Sequence, residues 1–287
     1  MKISNNHLKA TFNVRGAEIT SLTHNATGRE YIWQARTKYW GRHAPVLFPF
    51  VGKLKKDQYR HEGKTYEMGQ HGFARDLDFE IVEHTSDQII FQLDADSNTL
   101  KKYPFKFELR IIYQLEGHSL RTTYEVKNKG KQVMYFSIGG HPAFDCPLNP
   151  EEFRSDYWLE FDQQETLFTH RLDGGLFTGK KEAIELDGQR LHITDHLFDK
   201  DALVFKQLNS TRVSLSSLSQ KWLTFHFDGF PYLGIWSKSQ ESPFVCIEPW
   251  YGLADYGDHS GELSAKEGIR KLDASAIFSC HYTMEIH

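Results

Sequence analysis

The sequence is short of cysteine, proline and long hydrophobic runs, and each shortage removes a class of protein. Cys146, Cys246 and Cys280 are the only cysteines in 287 residues. They are odd in number and far apart, which excludes a disulfide framework and the paired spacing of a zinc knuckle; a reducing cytoplasm is the expected compartment. No run approaches the length needed to cross a bilayer, and the opening MKISNNHLKATF turns polar too early for a secretory signal. Neither sign of charge dominates. The 34 Lys and Arg against 38 Asp and Glu leave a formal net charge of -4. The two signs are interspersed, so no basic face is offered to nucleic acid or to an anionic membrane. Internal repeats, low-complexity tracts, linkers and long helical periodicity are also missing.

What remains is material for one large β domain. Hydrophobic residues make up 39% of the chain, enough to bury a large core, and all-β folds of this length are often single domains. A single domain over residues 1–287 is therefore expected. Short β-branched and aromatic runs recur with turn signals between them: YRHEGKTYEM, FEIVEHTSDQIIFQLDAD and FELRIIYQLEGHSLRTTYEVKNKG read as antiparallel hairpins. In the last, Leu109, Ile111 and Tyr113 alternate with polar neighbours, so one face is buried and the other wet. WLEF, TLFTHRL, ALVFKQL, RVSLSSL, WLTFHF, YLGIWSK, FVCIEPW and AIFSCHYTMEIH extend the pattern to the carboxy terminus. Asn98 to Tyr103 is expected to be a short helix closed by Pro104, and His192 to Asp201 a helical turn or irregular loop. The fold class is all-β, a large antiparallel β-sandwich.

Three segments combine glycine, proline, histidine and acid in ways that plain strands do not require: QHGFARD at 70–76, GGHPAFD at 139–145 and IEPWYG at 247–252. His141 follows two glycines, which let backbone approach a ligand, and precedes a proline that fixes the chain. An imidazole held there can protonate an ether-like ring oxygen, although a histidine at such a turn is more often only a cap. Glu248 ends an apolar run beside Pro249 and Trp250, an expensive place for a charge. It could take a proton from a hydroxyl while Trp250 walls the ligand, or it could pair with an arginine at a strand end. His71 and Arg75 offer hydrogen bonds to hydroxyls or charge to an anion. Arg42, Lys53, Lys55 and Lys56 flank APVLFPFVG, the last two reading as solvated charge.

Other motifs fail. Gly174, Gly179 and Lys180 have P-loop spacing, but Lys181 stands where a magnesium-binding hydroxyl belongs, and a hairpin turn is expected instead. His192 and His196 lack the glutamate of a zinc-protease helix, so no metal is expected. There is no GxSxG elbow for nucleophilic hydrolysis.

In this order the blocks NVRGAEITSL, APVLFPFVGKL, QHGFARD, FSIGGHPAF and FVCIEPWYG resemble the aldose 1-epimerase (galactose mutarotase) superfamily, most closely its LacX-like bacterial branch, over nearly the whole chain. The resemblance implies a galactose mutarotase-like β-supersandwich with a sugar cleft on one concave face and no cofactor. It gives His141 the part of general acid, Glu248 that of general base, and His71 that of the histidine that orients the sugar near its ring oxygen. Asp201 in KDALVF looks like the aspartate that holds a sugar hydroxyl. Lys53 stands where relatives often have arginine, which keeps charge but loses two-pronged hydrogen bonding. The expected ligand is a hexose. A hexose 6-phosphate held by Arg42 and Arg75 is one alternative, and a noncatalytic sugar-binding protein is another. A monomer or weak homodimer is expected.

Overall fold

The computed structural model describes residues 1–287. It is an antiparallel β structure in which two large sheets share one core. The larger has nine strands. Its centre is the pair Phe107–Glu116 and Ser119–Asn128, joined by a tight turn at Gly117 and His118 and in register from Glu116 opposite Ser119 to Phe107 opposite Asn128. The alternation read from the sequence is obeyed: Leu109, Ile111, Tyr113, Leu120, Tyr124 and Val126 are buried. The carboxy-terminal strand Ile277–Ile286 completes the middle by pairing with Ser119–Asn128.

The smaller sheet carries the blocks singled out above. Its order runs Leu203–Lys206, Tyr232–Trp236, Phe244–Tyr251, Ile138–Gly140, Val46–Leu47, with Ala143–Asp145 also pairing onto Phe244–Tyr251. Alternation along Phe244–Tyr251 decides everything about the site. Val245 and Ile247 turn inward to a cluster of 63 buried residues that also takes Phe225 and Tyr282 from the larger sheet. Cys246, Glu248 and Trp250 therefore share the opposite face, because successive side chains in a strand point to opposite sides. The close approach of the two sheets is visible at Gly140, where a Cβ would lie 2.9 Å from the Tyr124 hydroxyl.

Glu248 is not at a strand end, as Pro249 had suggested; it lies within a strand that continues to Tyr251. The Ile247 N–H donates to Pro142 O at 3.2 Å. By the same alternation the missing N–H of Pro249 points to the side of the His141 turn and away from Tyr232–Trp236, so the ladder to that strand survives. Elsewhere the short helix is found at Thr99–Lys102, and of residues 192–201, His192 ends the strand Arg190–His192 while residues 195–200 form successive turns. Gly174 and Gly175 sit in a hairpin turn between Leu167–Asp173 and Leu176–Ile184, whereas Gly179 falls inside the second of these strands. Lys55 is more than solvated charge: its Nζ donates to His259 O at 3.0 Å. No helix is long and apolar enough to cross a membrane.

Candidate active site

His141 sits in the two-residue break between Ile138–Gly140 and Ala143–Asp145, both of which pair with the strand that carries Glu248. The sheet itself thus brings the two side chains together. Nε2 of His141 lies 3.2 Å from Oε2 of Glu248, with both side chains at least nine-tenths buried. Nδ1 of His141 and Oε2 of Glu248 have no hydrogen-bond partner within the protein. Burial, an environment hostile to either charge, pushes the Glu248 carboxyl well above the ordinary carboxylate range, with the negative charge of Asp201 adding to it. Burial also holds the His141 imidazole down to about 3, and the charges of Arg75 and Arg42 act in the same direction. Both shifts favour the uncharged forms of the two groups.

Aromatic rings hold this pair in place. Trp40 stacks on His141 with centroids 4.9 Å apart, and Trp236 meets it edge-on at 5.6 Å. The loop bearing Trp40 is pinned by Glu18, whose Oε1 accepts the N–H groups of His43 and Ala44 at 2.8 and 2.9 Å. The Trp250 indole lies flat on the sheet, and the glycines beside it are what allow this. A Cβ on Gly139 would lie 2.7 Å from the indole and one on Gly234 2.5 Å. Replacing Trp40 with Leu removes an aromatic contact worth about 0.5–1.5 kcal/mol. The expected result is a roughly two- to tenfold fall in kcat/KM for the sugar reaction proposed below, read by steady-state kinetics.

His71 reaches the same cleft from the QHGFARD turn. Its N–H donates to Gly52 O at 2.9 Å, and the Gly52 N–H donates to its Nδ1 at 3.1 Å. That second bond fixes the tautomer: with Nδ1 accepting, the proton of the neutral ring is on Nε2. Burial keeps the ring neutral by lowering its pKa well below the ordinary value, helped by the charges of Arg75 and Arg42. The exchange demands unusual backbone, with φ of 67° at His71 and 72° at Gly72, and a Cβ on Gly72 would strike Phe48 O at 2.2 Å.

Five of the seven residues singled out in the sequence converge on one cleft of about 250 Å³: His141, Glu248, His71, Arg75 and Asp201. Arg75 is anchored by donating from Nη2 to Gln70 O at 2.7 Å, and burial lowers its pKa to about 10, so it is still a cation at neutral pH. Asp201 is exposed at the rim, with φ of 83° and its Oδ1 accepting the Ala202 N–H at 2.7 Å. Arg42 and Lys53 do not line the cleft. Arg42 is engaged by Asp76, Nη2 to Oδ1 at 2.9 Å, and Lys53 runs its stem beside Gly175. Sequence reading missed Trp40, Trp236, Phe177 and Lys238, which also line the cleft. Larger depressions of about 530 and 600 Å³ lie elsewhere; in the second, Glu267 is engaged by Lys206 at 2.7 Å.

Comparison with known proteins shows the family. The family model described as aldose 1-epimerase matches residues 1–268. The chain belongs to the aldose 1-epimerase family. Within it, the chain is 35% identical over 282 residues to the protein LacX, chromosomal, of Lactococcus lactis subsp. lactis, covering 95% of this chain and 94% of that one. Its structure is similar to that of a galactose mutarotase related enzyme from Lactobacillus acidophilus, with TM-score 0.96, 38% identity, and coverage of 100% of this chain and 97% of the other. A galactose mutarotase-like protein from Lactobacillus casei gives TM-score 0.93 and 34% identity over 100% of this chain and 99% of its own. The sheets and cleft described above are thus those of an aldose 1-epimerase family member, and the expected β-sandwich is found.

Proposed function

We propose that this protein interconverts the α and β anomers of a free hexose, with Glu248 as base and His141 as acid. One observation carries the reading: acid and base are in contact at 3.2 Å. Two oxygens bonded to a single carbon are close neighbours, and a hemiacetal presents such a pair at C1, the anomeric hydroxyl and the ring oxygen. Glycoside hydrolysis, by contrast, needs groups flanking a bond, with carboxyls about 5–9.5 Å apart. The two buried polar atoms without protein partners, His141 Nδ1 and Glu248 Oε2, are what a polyhydroxylated ligand would satisfy.

In the proposed reaction, Glu248 removes the anomeric proton as His141 protonates the ring oxygen and the C1–O5 bond breaks. Rotation about C1–C2 presents the other carbonyl face. His141 then takes back the O5 proton while Glu248 returns its proton to O1, closing the ring as the opposite anomer. The tautomer that attacks the ring, carboxylate with imidazolium, has the same proton count as the resting neutral pair, so reaching it costs no exchange with solvent. His71 donates Nε2–H to the bound sugar. The same reading takes residues 1–287 as one catalytic domain, which the shared 63-residue core supports.

The pH profile follows. Activity requires one proton on the pair. A second proton reaches His141 only at about 3, and the first leaves only above the raised Glu248 carboxyl. The kcat/KM profile for free enzyme should therefore show no acid limb in the region where an ordinary imidazole titrates, around 6.5. An acid limb centred there would contradict the assignment. A phosphorylated hexose is the weaker reading because Arg42 is committed to Asp76, leaving Arg75 and the exposed Lys238 as the cleft's cations. Polarimetry on freshly dissolved α-glucose, α-galactose and α-glucose 6-phosphate tests both: the free sugars should be accelerated, and acceleration confined to the phosphate ester would reverse the preference.

A further inference from the structure

The Glu248 face of its strand holds a third potential ligand that the acid–base reaction leaves idle. Cys246 is two residues before Glu248 and shares its side of the sheet. It is wholly buried in a small cluster with Trp33, Ala143 and Phe244. Burial pushes its thiol well above the ordinary value, so it is no nucleophile. Yet one donor atom from each of His141, Cys246 and Glu248 lies within 4.8 Å of the other two.

We propose that these three side chains bind a borderline or soft divalent cation, Zn²⁺ or Cd²⁺, and that occupancy blocks the acid–base pair. Nitrogen, sulfur and oxygen donors together are the set that zinc takes, whereas magnesium and calcium prefer oxygen alone. Bonds of about 2.0–2.3 Å put tetrahedral ligands roughly 3.5 Å apart. The His141–Glu248 contact at 3.2 Å already meets that spacing, and the sulfur needs to close by an ångström or so at most. Glu248 Oε2 has no hydrogen-bond partner although the residue is only 2% exposed, a buried acceptor that a cation satisfies. Water from the cleft supplies the fourth ligand, as in zinc sites with three protein ligands. Charge balances: the thiol and the carboxyl each lose a proton to solvent, and the two anions neutralise M²⁺ within the buried site. Affinity must therefore rise with pH.

That the cation inhibits rests on the proposed mutarotase reading; that it binds does not. Co²⁺ added to the purified full chain should give a thiolate-to-cobalt charge-transfer band that disappears in Cys246→Ser, whether or not the protein acts on sugars. Zn²⁺ should inhibit anomer interconversion competitively with sugar and more strongly at higher pH. Cys246→Ser, near-isosteric and outside the acid–base pair, should keep turnover while its sensitivity to Zn²⁺ falls by at least the ~10–100-fold that losing even an outer-shell partner costs. Absence of the cobalt band in wild type, or Zn²⁺ inhibition unchanged in the serine variant, overturns the proposal.

Discussion

Glu248→Gln should lower kcat for anomer interconversion by about 10²–10⁴-fold, the usual contribution of a positioned acid–base group, with the protein still folded and still binding sugar. The amide matches the carboxyl in shape but cannot take a proton from the anomeric hydroxyl. Because Glu248 is 2% exposed and burial favours its uncharged carboxyl, the neutral amide puts no new charge in the interior, and stability should change little. Loss of turnover can then be assigned to chemistry. Polarimetry of the wild type and variant on fresh α-glucose and α-galactose makes the comparison; turnover undiminished by the amide would remove the base assigned here.

The second large effect concerns stability and lies one layer behind the cleft. Asp255 and Lys266 are both buried, with Nζ 2.7 Å from Oδ1. Oδ2 of Asp255 accepts the Lys55 N–H at 2.9 Å, and the Asp255 N–H donates to Lys53 O at 2.8 Å. The pair thus ties its loop to the segment that starts at Gly52, the residue whose N–H holds His71. Burial lowers the Lys266 pKa, and Asp255 is the charge that opposes this. Asp255→Asn strands the ammonium and should cost about 3–5 kcal/mol of unfolding free energy. The double variant with Lys266→Met should recover much of that loss, since an ion pair replaced as a unit leaves no orphan charge. Urea denaturation of the three variants tests this; additive losses would show that the two residues do not act as a pair.

The strands and the chemical pair were legible in the sequence because each leaves a local trace. Leu109, Ile111 and Tyr113 announce a half-buried strand by alternation, and His141 is marked by the glycines before it and the proline after it. The aromatic walls left none. Trp40 and Trp236 are nearly two hundred residues apart in sequence and meet His141 only through sheet pairing and the loop pinned by Glu18. Arg42 looked free for a ligand because its partner Asp76 is 34 positions away. Pro249 signalled a strand end only because the side to which its missing N–H points depends on which strands flank it.

The cleft also divides its labour by backbone type. Glu248 lies within a paired strand and His141 in a short break between two, whereas Arg75 belongs to a 3-10 turn and Asp201 and Lys238 to loops. Changes to the turn and loops leave strand register untouched. New sugar preferences could therefore be acquired by drift or by directed libraries confined to those positions, with turnover chemistry inherited unchanged.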